Sequence, residues 1–94
     1  MATEPPERPR PAYVLSDHAE EQVLKRKVPR FMLEIVLADP QQILDERKGR
    51  KAYQSLMDVN GVTQVLRLIV EEGTPIVVVT VYYTDRVEKY WRAP

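Results

Sequence analysis

At 94 residues the chain is long enough for one domain, and its 14 basic and 14 acidic side chains cancel, which excludes a whole-molecule field that gathers nucleic acid or anionic membrane. The absence of cysteine excludes disulfides and thiolate metal sites, and a lone histidine argues against zinc, so we expect no cofactor. The longest apolar run, Ile76 to Val79, is far shorter than the roughly 20 residues of a membrane span, and no signal peptide is visible. We therefore expect a cytoplasmic domain with no membrane partner.

The N-terminal residues 1–12 are predicted to form a disordered or extended proline-rich tail. They hold four of the eight prolines with charged residues between them, and nothing in this stretch can be buried. A proline-rich docking ligand is the alternative, but no P-x-x-P sequence with a clear aromatic or basic context stands out. We expect a single α+β domain over residues 13–92.

Two short helices are predicted after an extended entry at residues 13–15. Ser16 or Asp17 caps the first helix, whose acidic first turn and basic last turn suit the helix dipole. Pro29 is well placed as the first residue of the second helix, because the residue before a proline avoids the α region and ends the first. The second helix ends before Pro40 and is apolar nearly all round, so it must be covered on most of its sides.

From Gln42 onward the hydrophobic period changes toward two, which predicts an antiparallel sheet. Strands are expected to start at Ile43 and to continue over residues 51–59, 63–71 and 76–84. Asn60-Gly61 is a strong signal for a hairpin turn. The last of these strands is rich in β-branched and aromatic residues and apolar on both faces, which favours a central position.

Alternation along the strands decides which side chains share a face of the sheet. The purely apolar sets are expected beneath the helices, which leaves Arg67, Thr80 and Tyr82 on the open face. Alternation also groups Val78 with Thr80 and Tyr82, and pairing through the hairpin turn would place Tyr53 near this face. Such a face could bind nucleic acid, because arginine binds phosphate bidentately and tyrosine stacks on bases. The alternative is an ordinary solvated face, which composition alone favours. A one-residue bulge would reverse the assignment.

His18, in the first turn of the first helix, is a second candidate for chemistry. Lys25 lies on nearly the same face of that helix, and neighbouring cations lower the proton affinity of histidine, which suits a general base. The alternative is a structural role, in which the His18 ring bonds a nearby backbone carbonyl. When His18 is considered by itself, this alternative is favoured. The one local basic patch follows two acidic residues, so a solvated hairpin loop is its commoner explanation; it consists of Arg47, Lys48, Arg50 and Lys51.

The order of several short motifs resembles that of a known family. The motifs are Ser-Asp-His-Ala at 16–19, then Arg26, a strand with Tyr53, and the strands Val-Leu-Arg-Leu-Ile-Val at 65–70 and Val-Val-Thr-Val-Tyr at 78–82. From about residue 13 to 84 the chain resembles small bacterial and phage domains of unknown function that begin with a His-Ala…Arg helix and lie near the RelE/ParE/BrnT-type toxins. The resemblance implies a RelE-like fold, with two N-terminal helices packed on a three- to four-stranded curved antiparallel sheet.

In RelE-like toxins the exposed sheet face binds RNA, and the resemblance implies catalytic roles for His18, Arg67 and Tyr82. Arg67 would stabilise phosphate charge, and His18 or a tyrosine would move the proton. Substrate contacts are expected from Arg26, Tyr53 and Thr80, to which the basic patch adds Lys51.

The leading hypothesis is therefore a toxin-type domain that acts as a metal-independent ribonuclease, with RNA as substrate and a small antitoxin as partner. The neutral charge of this chain departs from such toxins, which are usually strongly basic. The alternative is a non-catalytic module that binds a protein or nucleic acid through the sheet face or an edge strand.

Overall fold

The computed structural model describes residues 12–93 of the chain. The predicted proline-rich tail lies outside these described residues, apart from Ala12. Among the described residues, no helix is long and apolar enough to cross a membrane. The elements in chain order are β1 (Tyr13–Leu15), α1 (Asp17–Arg26), α2 (Arg30–Ala38), β2 (Gln42–Asp45), a 3-10 turn (Arg47–Gly49), β3 (Lys51–Val59), β4 (Val62–Glu71), β5 (Ile76–Thr84) and α3 (Val87–Tyr90).

The five strands form one mixed sheet in the order β1-β5-β4-β3-β2. Strands β2 to β5 pair antiparallel, whereas β1 runs parallel to β5 with Tyr13 opposite Ile76. The prediction of a three- to four-stranded antiparallel RelE-like sheet is therefore wrong. A three-residue segment is too short to show an alternating pattern, so β1 looks in sequence like an extended entry rather than a strand.

The predicted turn chemistry explains where the main elements begin and end. Ser16 is the N-cap of α1, and its Oγ accepts a hydrogen bond from the Ala19 amide at 3.0 Å. Lys27 then takes a left-handed conformation and ends α1, and Pro29 is the N-cap of α2. Asn60 and Gly61 both have positive φ, as a two-residue hairpin turn requires, and they join β3 to β4.

Helices α1 and α2 cover one face of the sheet and form the core with it. Helix α1 packs mainly on β5, and α2 packs on β3 and β4. The apolar set of β4 lies beneath the helices, as alternation predicts. The core residues are Ala19, Val23, Val28, Leu33, Val36, Leu37, Tyr53, Leu66, Leu68, Val70, Val78 and Val81.

A bulge changes which side chains of β5 face the helices. Ile69 pairs with Thr80, but the next residue of β4, Val70, pairs with Val78, so Val79 is the additional residue. Val78 and Val81 are consequently both buried in the core although they are three positions apart. The prediction that Val78 shares a face with Thr80 is wrong, because the bulge reverses the first half of the strand.

Candidate functional site

Arg67 lies at the centre of the sheet face that points away from α1 and α2. It is only 4% exposed. Its Nη2 donates to Glu46 Oε1 at 2.9 Å, its Nη1 donates to the Tyr82 hydroxyl at 2.6 Å, and its Nε donates to Gln54 Oε1 at 2.9 Å. The Tyr90 ring covers the guanidinium, with 4.5 Å between Cζ and the ring centroid. Arg67 is thus enclosed by hydrogen-bond acceptors and an aromatic ring.

Two glutamines connect Arg67 to the C-terminal segment. Gln54, which is fully buried, donates from Nε2 to Gln42 Oε1 at 2.8 Å and to the Tyr90 carbonyl at 2.9 Å. Gln42 in turn donates to the Arg92 carbonyl at 2.6 Å and accepts from the Arg92 amide at 3.1 Å. Within the described part of the chain, every buried side-chain nitrogen and oxygen has a partner. The α3 segment therefore closes a complete hydrogen-bond network over this face.

A cleft of about 460 Å³ opens between the end of β2 and the C-terminal segment. Its charged lining mixes both signs, with carboxylates from Asp45, Glu46 and Glu88 beside the cations of Arg67, Lys89 and Arg92. Mixed charge of this kind gives no net attraction for a polyanion such as RNA. Residues 12–93 also contain no group of three or more His, Cys, Asp or Glu side chains that could hold a metal ion.

Arg67, Thr80 and Tyr82 share one face of the sheet, as alternation predicts. This face is not open, however, because α3 and the residues after it cover Arg67. Burial raises the pKa of Tyr82, although the neighbouring Arg67 guanidinium opposes the rise. The phenol of Tyr82 therefore stays protonated at neutral pH, which makes it a poor general base.

His18 and Arg26 are exposed on α1, on the other side of the sheet from Arg67. A proton-transfer group on α1 cannot reach a phosphate bound by Arg67, because the sheet lies between them. The structure therefore does not bring together the three residues predicted to be catalytic, His18, Arg67 and Tyr82.

Tyr53 and Lys51 also differ from their predicted roles. Tyr53 is buried on the helix-covered face, so its predicted place near the Arg67 face is wrong, and its hydroxyl donates to Glu72. Burial, reinforced by the Glu72 carboxylate, raises the pKa of Tyr53 to about 12. Lys51 forms an ion pair with Asp45, and Arg50 pairs with Glu71 at 3.0 Å, so two of the four cations of the basic patch are neutralised.

A second surface, which the sequence did not single out, lies on the helices. Leu24 is 78% exposed on α1, and Phe31 and Ile35 are 59% and 53% exposed on α2. On α2, Leu33, Val36 and Leu37 face the core, so at 100° per residue Phe31 and Ile35 point directly away from it. The prediction that α2 is covered on most of its sides is therefore wrong.

A groove of about 440 Å³ lies beside Leu24, between the two helices. It is lined by Glu20, Val23, Leu24, Lys27, Val28, Pro29 and Arg30. Glu20 and Arg30 form an ion pair of 3.5 Å between α1 and α2. We call this groove, together with Leu24, Phe31 and Ile35, the helical surface. One sequence signal pointed to this surface: α2 is apolar at nearly every one of its nine positions. A small domain covers only one side of such a helix, so the apolar residues on the other side stay exposed.

No family model matches this chain, and no curated protein or solved structure matches it either. What the domain does must therefore follow from its own surfaces.

Proposed function

We propose that this domain is a non-catalytic module that binds another protein through its helical surface. The exposure of Leu24, Phe31 and Ile35 carries the proposal. Single exposed apolar residues are ordinary, but Phe31 and Ile35 stand four residues apart on one helix and form a continuous stripe. An exposed apolar stripe next to an apolar groove is typical of a surface that a partner covers.

The hydrophobic contribution of Leu24, Phe31 and Ile35 is not enough by itself to hold a partner. Burying a fully exposed large apolar side chain contributes roughly 1.5–3 kcal/mol. Phe31 and Ile35 are 59% and 53% exposed, so each supplies only about half of that amount when a partner covers it. Association itself costs an estimated 4–15 kcal/mol or more. The three anchors therefore offset only part of this cost, and a stable complex needs additional contacts, for which the charged rim of the groove is available.

The contacts of Arg67 favour this proposal over the ribonuclease hypothesis. A phosphate approaching Arg67 would have to displace the Glu46 carboxylate and move the Tyr90 ring. The closest candidate for a proton-transfer group, Tyr82, is itself an acceptor for Arg67. His18 lies beyond the sheet. The ribonuclease remains a hypothesis with a direct test.

That test uses the full chain in two assays. We expect no growth arrest on expression, and no cleavage of structured or single-stranded RNA in EDTA, because Arg67 already has three hydrogen-bond acceptors and His18 is remote from it. Arg67→Ala and His18→Ala serve as controls against a contaminating nuclease. The proposal fails if the wild-type chain cleaves RNA and either variant lowers the rate by about tenfold or more, the loss expected when one transition-state contact is removed.

A further inference from the structure

We infer that the partner presents an acidic amphipathic helix, which places its apolar side against the helical surface and its carboxylates against the surrounding cations. The inference rests on the proposed function and specifies the partner. It combines the charge around the groove with the geometry of α2.

The groove carries a small excess of positive charge, although the chain as a whole is neutral: its charged lining consists of Lys27, Arg30 and one carboxylate, Glu20. Residues 22–33 carry four cations and no acidic residue, and they are flanked by Glu20, Glu21 and Glu34. The prediction that the loop at 47–51 is the one local basic patch is therefore wrong. All four cations of residues 22–33 are exposed, and three of them form no ion pair with another described residue; the four are Lys25, Arg26, Lys27 and Arg30. An acidic partner would neutralise these charges on binding and would be steered toward them.

The helix dipole explains only part of this charge. Lys25 and Arg26 lie in the last turn of α1, where cations stabilise the helix. Arg30 is the first residue of α2, where a cation opposes the dipole of that helix. Lys27 lies beyond the end of α1. Arg30 pairs with Glu20 across the groove, so among the described residues Lys27 is the groove-lining cation that has no intramolecular ion pair.

The geometry of α2 favours a helical partner. Phe31 and Ile35 are four residues apart, so their side chains lie about 6 Å apart along the helix axis. A ridge of apolar side chains at i, i+4 on a second helix packs into such a row, and the groove beside Leu24 accepts one more side chain. A partner helix would thus lie on top of the helical layer that covers the sheet, on the side away from the core.

Other occupants fit less well. A second copy of this chain would bring two basic surfaces together. A nucleic acid would contact the cations but leave Leu24 and Phe31 unburied. The N-terminal residues 1–11 balance two acids with two arginines and offer no run of apolar anchors.

The experiment titrates the full chain with labelled helical peptides of about 18 residues that share one leucine face. The polar face carries glutamate in the first peptide and lysine in the second, and a third glutamate peptide has its leucines scrambled. Fluorescence anisotropy should show the ordered glutamate peptide binding about tenfold more tightly than either of the others, with the advantage over lysine shrinking as salt rises.

Matched variants locate the site. Leu24→Ser with Phe31→Ser should weaken the glutamate peptide by about tenfold, because two anchors are lost, whereas Val14→Ser with Val62→Ser changes two exposed valines elsewhere and should have little effect. Lys27→Glu, in the groove lining, should also weaken binding, whereas Lys48→Glu makes the same change in net charge away from the site, at another lysine with positive φ.

The possible failures have different meanings. Equal or tighter binding of the lysine peptide at the same helical residues would overturn the acidic partner but leave a protein-binding surface. Binding that is indifferent to Leu24→Ser with Phe31→Ser would overturn the surface, and with it the proposed function. Self-association of the free chain that these two substitutions abolish would identify a second copy as the occupant and overturn the inference.

Discussion

Arg67 is a charged side chain almost completely removed from water, and its neighbours compensate for that position. Glu46 supplies the opposite charge, Gln54 and Tyr82 accept further hydrogen bonds, and the Tyr90 ring excludes solvent. A buried charge without such partners costs several kcal/mol. We interpret Arg67 of β4 as the residue that joins β3, β5, α3 and the loop after β2 on this side of the sheet.

Replacing Arg67 tests this interpretation. Arg67→Met keeps much of the side-chain length but leaves Gln54 Oε1 and Glu46 without their donor, so we expect the free energy of unfolding to fall by about 2–4 kcal/mol in urea denaturation. Arg50→Met is the control, since its pair with Glu71 is largely exposed and should contribute no more than about 1 kcal/mol. Equal losses for the two variants would show that Arg67 has no special structural role.

The parts of this site that depend on neighbouring strands were predicted from sequence, and the parts that depend on residues far away in the chain were not. Alternation within two neighbouring strands was enough to place Arg67 and Tyr82 on one face. Alternation could not show that this face is covered. The residues that cover it, Tyr90 and its neighbours, lie more than 20 positions after Arg67 in a segment that shows no hydrophobic period of a strand or helix. Tyr53 was assigned to the wrong face because the assignment depends on the register between β3 and β4. In the structure Tyr53 pairs with Leu68, which faces the helices.

At the scale of elements, residues at the start of α1 and within it continue the hydrogen bonding to the edge of β5 where β1 ends. Strand β1 ends after three residues, and the Ser16 amide donates to the Val78 carbonyl at 2.9 Å. Ser16 Oγ donates to the carbonyl of Val79, the bulge residue, at 3.0 Å. Gln22 Oε1 then accepts from the Val81 amide at 2.8 Å. Side chains of α1 thus satisfy backbone groups of β5 that β1 is too short to reach.

Ser16 therefore has two roles, as helix cap and as sheet partner. Ser16→Ala should lower the free energy of unfolding by about 1–2 kcal/mol, because it removes the cap of α1 and the bond to Val79. Ser16→Thr retains a hydroxyl and serves as the control. Chemical denaturation measures the stability, and hydrogen exchange at the Ala19 amide should accelerate in the alanine variant alone. A loss below about 0.5 kcal/mol would contradict the dual role.

The elements also separate what local sequence determines from what it does not. The cap of α1, the break before α2 and the Asn60-Gly61 turn are set within a few residues. The sequence predicted the turn and narrowed the cap to Ser16 or Asp17, and it placed Pro29 one position too far into the second helix, since Pro29 is its N-cap. The parallel pairing of β1 depends on contacts some 60 residues apart in sequence, since Tyr13 pairs with Ile76. The bulge at Val79 lies between the neighbouring strands β4 and β5, but no sequence pattern marks the position of the extra residue. The sheet was consequently predicted with the wrong strand number and without its parallel edge.

At the scale of the whole molecule, the two sides of the sheet differ in how complete they are. The side with Arg67 is closed by the chain's own C-terminal segment, and its polar groups are satisfied. The side with α1 and α2 is complete beneath the helices but leaves Leu24, Phe31 and Ile35 exposed above them. The neutral net charge also conceals a basic stretch at residues 22–33. Both asymmetries support the proposal that a partner binds the helices.

The most direct measurement is photo-crosslinking in the cells that make the protein, with a photoreactive phenylalanine analogue in place of Ile35 or, as the control, of Val62, which is also half-exposed. We predict a discrete adduct with another protein from position 35, its loss when Leu24→Ser and Phe31→Ser are added, and no adduct from position 62. The same adducts from both positions, or an adduct from position 62 alone, would contradict a partner that binds the helical surface.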